Sequence, residues 1–534
     1  MSRPTKELKD RPLSPDSWHL TPRMSSQHIH RIILLPLKTE LAAPAGTALR
    51  DLLFAQGVEF PCGGQGRCRG CRVHVLEGQV SVNQAQRERL SGKELAQGWR
   101  LACQCALEDD LVIELRQWDA AILVDETPFA FQPRPGMGVA VDLGTTTLVT
   151  QLLDLRTGRV LAVRTALNSQ ARFGADVMSR VRFAVAEGGA QQLRELIRQQ
   201  IGSLIEQLVF ATHGAEVEIR DVVVVGNTVM HHLFCGLDVE PLSRYPFESD
   251  HLGLQTFSPG DLGWKLPSRA RVRFLPCLGG FVGSDILAGI LATRLNERDD
   301  LNGLVDLGTN GEIVIGHRQR LLCASTAAGP AFEGARISMG MRAATGAISE
   351  VRVEDHTIHC RVLGNVPPQG LCGSGLVDAV AAGLDLGRIQ PSGRFSDGAA
   401  AWELASPVVL TQSDIRELQL AKGAIAAGIR MLLDRFGASA GDLKKLYLAG
   451  AFGNYINRAS AERIGLINFP EEKVAAAGNT ALLGAKLALF SPETEDGSFV
   501  RIRGQTEHVA LNADQSFQET FVEEMAFPDV RAGD

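Results

Sequence analysis

The chain has 534 residues, with 54 Lys and Arg against 61 Asp and Glu, for a net charge of −7. At roughly 150 residues per domain that length predicts about three or four compact units. The lack of a broad basic field excludes a dominant role on nucleic acid or an anionic membrane surface.

Hydrophobic residues make up 45% and charged residues 22%, with 55 Gly and only 6% aromatics. This balance predicts an α/β globular protein with many close backbone approaches. No stretch approaches eighteen uninterrupted apolar residues, so no transmembrane helix and no membrane partner are expected. Residues 1–30, rich in Pro, Ser, His and charge, read as a disordered tail. They lack the apolar segment of a secretory signal, and a cytoplasmic location is expected. In that compartment ten cysteines serve as ligands or buried thiols rather than as disulfides.

In chain order, Arg31 to Leu41 alternates like a strand, and Thr47 to Gln56 reads as a short amphipathic helix. Cys71 to Val80 is strand-like, Gln84 to Gly98 a polar helix, and Leu111 to Arg116 a final strand. These make a compact unit over 31–117. Residues 118–137, punctuated by Pro128, Pro133 and Pro135, form a linker that disfavours both helix and central strand. A larger unit, 138–534, contains an internal echo. Asp142-Leu-Gly144-Thr145-Thr146-Thr147 returns 164 residues later as Asp306-Leu-Gly308-Thr309-Asn310-Gly311, each between two apolar strands. So distant a repeat predicts two similarly folded lobes. From Phe499 to Phe527 a small strand-and-helix appendage is expected.

Five cysteines lie within 44 residues, spaced Cys62-x5-Cys68-x2-Cys71 and then Cys103 after 31 residues, with Cys105 beside it. Glycines 63, 64, 66 and 70 let the loop wrap tightly and aim N–H groups at sulfur. Three thiolates in a Gly-rich loop plus one from a distant strand is the pattern of ferredoxin-type [2Fe–2S] loops, one residue longer than the plant spacing. The segment Arg100-Leu-Ala-Cys103-Gln resembles the fourth-ligand segment of adrenodoxin-like ferredoxins, which favours Cys103 over Cys105. The alternative is a structural zinc site, although zinc ribbons supply two Cys-x2-Cys hooks and only one is present.

In each Asp-Gly-Thr hairpin, glycine admits a polyanion, and N–H groups with Thr hydroxyls cradle phosphate oxygens. Asp142 is placed to hold Mg²⁺ through water, and Asp306 to orient an attacking water or its metal. Gly144, Thr145, Thr146, Gly308, Thr309 and Asn310 are the expected ATP-phosphate contacts. Leu446-Tyr-Leu-Ala-Gly450-Ala-Phe-Gly453 reads as strand, tight turn and helix, with Gly450 and Gly453 against adenine or ribose. The three segments resemble the phosphate-1, phosphate-2 and adenosine motifs of the ASKHA superfamily of kinases, Hsp70 and actin. Gly279 to Asp285 reads as a connection before a crossing helix, with Asp285 a candidate to face the metal. Gly226 to His232, Ala328 to Ala335 and Leu371 to Leu376 admit either ligand contact or close packing at sheet ends. His231 and His232 read as satisfied core or helix-surface residues, and Cys235, Cys277, Cys323, Cys360 and Cys372 as buried thiols.

A ferredoxin has no use for ATP, nor a kinase for an iron–sulfur cluster. Joined, they point to ATP driving an unfavourable one-electron transfer. Plant-type clusters sit near about −400 mV. An acceptor about 100 mV lower costs roughly 2 kcal/mol, within reach of an ATP-dependent switch. From about Arg31 onward the chain resembles the reductive activators of corrinoid proteins. This rests on the cysteine loop, both Asp-Leu-Gly-Thr motifs, Ala328 to Ala335, Cys372 to Gly375, Gln419-Leu-Ala-Lys422-Gly-Ala-Ile and Leu448 to Gly453.

The resemblance implies a β-grasp ferredoxin domain and a two-lobed, RNase H-like ASKHA ATPase domain. It implies reduction of Co(II) to Co(I) in a corrinoid protein of a methyltransferase system, with a [2Fe–2S] cluster, ATP, Mg²⁺ and an upstream electron donor. Longer relatives carry a linking and dimerisation region between the two parts, where this chain has only about twenty residues, so a homodimer is an open expectation. The alternatives are an electron donor to a non-corrinoid enzyme, a redox-regulated small-molecule kinase and an Hsp70-like binding module.

Overall fold

A computed structural model describes residues 28–35, 39–54, 66, 71–115, 131–210, 218–343, 346–491 and 497–529. The expected disordered tail up to residue 27, Cys62, Cys68 and most of the expected linker lie outside the described residues.

The first unit is a five-stranded sheet. Its elements are β1 (Ile29–Leu35), β2 (Thr39–Pro44), α1 (Leu49–Phe54), β3 (Arg72–Glu77), α2 (Gln84–Arg89), α3 (Gly92–Ala96), β4 (Trp99–Leu101) and β5 (Leu111–Leu115). The strand order is β2-β1-β5-β3-β4, with β1 parallel to β5 and all other pairs antiparallel. This is the β-grasp arrangement. Alternate residues Ile32 and Leu34 point inward onto Leu49, Leu53, Leu101 and Ile113, which are fully buried. The strand read over Arg31–Leu41 is in fact two antiparallel strands, because apolar alternation continues across the hairpin and periodicity cannot register the reversal. The polar helix read over Gln84–Gly98 is likewise two helices. Ser91 starts the second with a capping box to Glu94, which supplies a new N-terminus where a continuous helix would need none.

The second unit has two lobes of the same design. The first comprises β6 (Met137–Leu143), β7 (Thr147–Asp154), β8 (Val160–Leu167), α4 (Val177–Ala186), α5 (Ala190–Phe210), β9 (Ile219–Gly226), α6 (Thr228–Cys235), β10 (Gln255–Phe257), β11 (Arg271–Phe274) and α7 (Ser284–Thr293). The second opens with β12 (Asn302–Leu307), β13 (Gly311–His317) and β14 (Arg320–Thr326). An insertion follows: β15 (Ala347–Glu354), β16 (Thr357–Val362), β17 (Gly370–Leu371), α8 (Gly373–Asp385), β18 (Ala401–Ala405), β19 (Val408–Thr411) and α9 (Gln412–Phe436). The lobe closes with β20 (Lys445–Ala449), α10 (Gly450–Tyr455), α11 (Arg458–Arg463), β21 (Val474–Gly478), α12 (Thr480–Leu489), α13 (Gly497–Gln505), β22 (Thr506–His508) and α14 (Gln515–Glu524).

The sheets run β10-β11-β9-β6-β7-β8 and β21-β20-β12-β13-β14-β22. In each, three antiparallel strands are followed by two parallel ones in the same spatial order, with one extra edge strand. The sequence echo is therefore a structural duplication, and it places Asp142 and Asp306 on equivalent central strands at their C-terminal ends.

Helices α7 and α12 pack between the sheets, burying Ile286, Leu287, Leu482 and Ala485 against Val223, Val225, Leu304 and Val314. They cross at backbone distance: a Cβ on Gly484 would lie 2.2 Å from the Ala288 carbonyl oxygen. The C-terminal segment is no add-on, since β22 pairs with β14 as the sheet's edge. Buried Gln419 and Lys422 on α9 bind its backbone, through Gln419 Nε2 to Met525 O at 3.0 Å and Lys422 Nζ to Ala526 O at 2.8 Å. That explains the polar pair inside an apolar helix. Among the described residues no helix is long and apolar enough to cross a membrane.

Candidate functional site

The two hairpin turns face one cavity of about 330 Å³. Asp142, Gly144, Thr145 and Thr146 line it from one lobe and Asp306, Gly308, Thr309, Asn310 and Gly450 from the other. Gly453 does not reach it and packs instead on the backbone of Leu448.

Each turn is closed by a short bond, Gly144 N–H to Thr147 O at 3.1 Å and Gly308 N–H to Asn310 O at 3.0 Å. The first turn is also gripped by its carbonyls. Asn168 Nδ2 donates to Gly144 O at 2.9 Å, its backbone N–H to Thr146 O at 2.8 Å, and the buried Arg180 guanidinium to Thr145 O. Asn227 Nδ2 holds the Thr145 hydroxyl at 2.8 Å. In the second turn Thr309 Oγ1 donates to Glu333 Oε1 at 2.6 Å.

Gly450 adopts φ +83°, and a Cβ there would stand 2.6 Å from Asp306 Oδ1. Gly450→Ala therefore combines left-handed backbone strain with displacement of Asp306. Given roughly 1–2 kcal/mol for the strain, we expect the variant to be less stable than wild type by that amount in an equilibrium denaturant titration.

Five acids line the cavity (Asp142, Asp285, Asp306, Glu312 and Glu333), while Arg342 is the one basic side chain among the described lining residues. Burial pushes Asp142 up to about 6, despite Asn479 Nδ2 donating to its Oδ2 at 2.8 Å. Burial and then Asp142 push Asp306 up to about 7. Asp285 is also raised, by burial first and Asp306 next, and Glu312 by burial, then Asp285 and Asp306. So acidic a chamber cannot take a polyphosphate without cations. Among the described residues no three His, Cys, Asp or Glu side chains converge to hold a metal by themselves.

Carboxylates raised on folding stabilise the fold below about pH 4, and that contribution is lost as pH rises through about 6 to 7. We therefore expect cation-free Asp306→Asn to melt above the wild type at about pH 8, with the gap closing at about pH 5. Scanning calorimetry at the two values checks this.

Sequence reasoning missed Glu312 and Asn479 as lining residues, while Glu333 lies in the segment Ala328 to Ala335 left open above. Glu312 carried a signal, since it stands where the first copy has Leu148, in an otherwise apolar strand. The Gly-rich segments left open by sequence both line the cavity and pack closely. Asn227, Phe332, Cys372 and Ser374 line the cavity, while Gly373 touches the Phe332 backbone so closely that a Cβ would lie 1.9 Å from its oxygen. Phe332 and Phe452 stack at 4.6 Å and form an aromatic wall. His231 and His232 are fully buried on α6. His232 Nδ1 donates to Thr228 O and its Nε2 accepts from Ser249 Oγ, both at 2.8 Å. His231, by contrast, makes no ring hydrogen bond of good geometry, and burial pushes its pKa down to about 3. The reading of both as satisfied holds only for His232.

In the first unit, Cys71 and Cys103 are within the described residues, at the start of β3 and in the turn Ala102–Gln104. Gly66, at φ +69°, lies beside the Gln104 side chain, 2.9 Å from where a Cβ would stand. Cys105 points away into the core, its thiol 3.1 Å from Leu101 O and pushed up to about 12 by burial and then by Cys71.

A ferredoxin-type unit joined to a two-hairpin, acid-floored ASKHA cavity defines an ATP-dependent electron-transfer protein. Sequence profiles match accordingly: the 2Fe-2S iron–sulfur cluster binding domain over 32–108, the RACo middle region over 137–298 and the C-terminal ASKHA domain of RACo over 300–533. The corrinoid activation enzyme RamQ of Eubacterium limosum is 31% identical, over 93% of this chain and 99% of that protein. The [Co(II) methylated amine-specific corrinoid protein] reductase of Methanosarcina barkeri is 28% identical, over 73% and 77%. A solved reductive activator for corrinoid, iron–sulfur protein superposes with TM-score 0.66 at 28% identity, covering 94% of this chain and 98% of that one. The chain belongs to the family of reductive activators of corrinoid proteins.

Proposed function

We propose that this protein uses ATP to drive one-electron reduction of inactive Co(II) to Co(I) in a corrinoid protein of a methyltransferase system. The observation that carries the reading is the union in one chain of cysteines at ferredoxin spacing and the acid-lined cavity between duplicated hairpins.

Cys62, Cys68, Cys71 and Cys103 would hold a [2Fe–2S] cluster, which supplies a one-electron carrier when bound. Asp142 and Asp306 would hold Mg²⁺ largely through water, with Asp285 and Glu312 adding negative charge around them. Gly144, Thr145 and Thr146 would bind phosphate oxygens from one side and Gly308, Thr309 and Asn310 from the other. The aromatic wall of Phe332 and Phe452 would take the base. Asp306 would orient water for hydrolysis, and the bound nucleotide would draw the two lobes together. An upstream donor loses one electron, Co(II) gains it, and ATP yields ADP and phosphate. A homodimer and a cytoplasmic location belong to the same proposal.

The test is anaerobic: the reduced protein is mixed with a Co(II) corrinoid protein, and Co(I) absorbance is followed with and without Mg-ATP. Co(I) forming only with ATP supports the reading. Failure across several competent acceptors, with an intact reducible cluster, overturns it.

A further inference from the structure

Helix α12 touches the nucleotide cavity at one end and the entry of the chain from the first unit at the other. At its N-terminus Asn479 caps the helix, its Oδ1 accepting from Leu482 N–H at 2.8 Å, while its Nδ2 donates to Asp142 Oδ2. Ten residues later, about 15 Å along the axis, the helix ends against the last residues of the expected linker. Arg134 donates to the Leu489 carbonyl oxygen, and its other terminal nitrogen binds Asp221 Oδ2 at 2.8 Å. Phe131 packs on Phe490 with ring centroids 4.5 Å apart. Buried Arg273 adds a donor to Ala488 O at 3.0 Å. Two guanidinium groups thus satisfy carbonyls at the negative end of the helix dipole, where cations are favoured. Between its ends α12 packs closely on α7 at the Gly484–Ala288 crossing.

We propose that Arg134 is a positioning residue for electron transfer: it fastens the chain leading from the cysteine-bearing unit to a helix whose other end is hydrogen-bonded to Asp142. The inference rests on the proposed function. A cation and triphosphate at Asp142 alter its bond to Asn479. The displacement of α12 then reaches residues 131–137, which are also tied by Arg134 N–H to Leu155 O at 2.9 Å, Leu155 N–H to Gly136 O at 3.0 Å and Met137 N–H to Glu218 O at 2.9 Å. The guanidinium fork matters because it spans a carbonyl and a carboxylate at once, which an ammonium does not.

In full-length Arg134→Met carrying its cluster, ATP hydrolysis and cluster absorbance are expected to stay near wild type. ATP-dependent Co(I) formation is expected to fall by about tenfold, within the range of ordinary site-to-site coupling. Arg134→Lys should recover only part of it. A second readout is independent of the corrinoid acceptor. In the wild type a non-hydrolysable ATP analogue with Mg²⁺ should slow amide exchange across 131–137, and saturating analogue should fail to do so in Asn479→Ala. Where Arg134→Met does not fold, Phe131→Ala takes its place. Exchange in 131–137 indifferent to nucleotide, or full ATP-dependent reduction in the Arg134→Met protein, overturns the proposal. Absence of Co(I) in the wild type would instead count against the proposed function, while the exchange result still decides the coupling.

Discussion

Asp306→Asn is expected to abolish ATP-driven Co(I) formation while leaving the visible spectrum of the cluster unchanged. The side chain lies at the end of β12, lines the cavity between the two hairpins, and has Gly450 pressed against its Oδ1. Asparagine keeps the shape but removes the charge that would hold the cation and orient water. Losing one group aimed at developing charge costs about 100- to 1,000-fold in turnover, and a loss of that size is expected in steady-state phosphate release. Because the acids of the cavity and the cysteines belong to separately cored units, iron and sulfide content should match the wild type. Loss of both properties together would contradict that independence.

The second large effect separates two neighbouring cysteines. Cys103→Ser is expected to strip the cluster, with loss of its absorbance and of all Co(I) formation at any ATP concentration, as is Cys68→Ala. Cys105→Ser is expected to retain both. A ligand must be a thiolate. Cys105 is buried in the core, its thiol held far above physiological pH by burial and by Cys71 and engaged with Leu101 O. Cys103 stands half-buried in the turn Ala102–Gln104. A cluster that survives in Cys103→Ser but not in Cys105→Ser would reverse the assignment. Zinc in place of iron and sulfide in the purified wild type would remove the redox argument altogether.

The parts of the fold legible in the sequence are those whose cause is local. A glycine turn between two apolar runs announces each phosphate hairpin, and its recurrence after 164 residues announces two lobes. Local pattern misled where two local signals overlap. Alternation carried from β1 into β2 hid a reversal, and the polarity shared by α2 and α3 hid the Ser91 cap between them.

What the sequence by itself determined is the chemical inventory: four cysteines at ferredoxin spacing, two acid-bearing hairpins and a third glycine turn. Those features depend on residue type and short spacing, and no distant contact is needed to read them. What only the tertiary structure decided is which groups meet. Asn479 finds Asp142 across 337 residues and Arg134 finds Leu489 across 355. Glu312 and Glu333 join the acids, and Gly453 turns away from them. These pairings follow from the crossing of α7 and α12 between two sheets, a packing set by the summed burial of many apolar side chains. No single residue encodes it, so no motif could announce it.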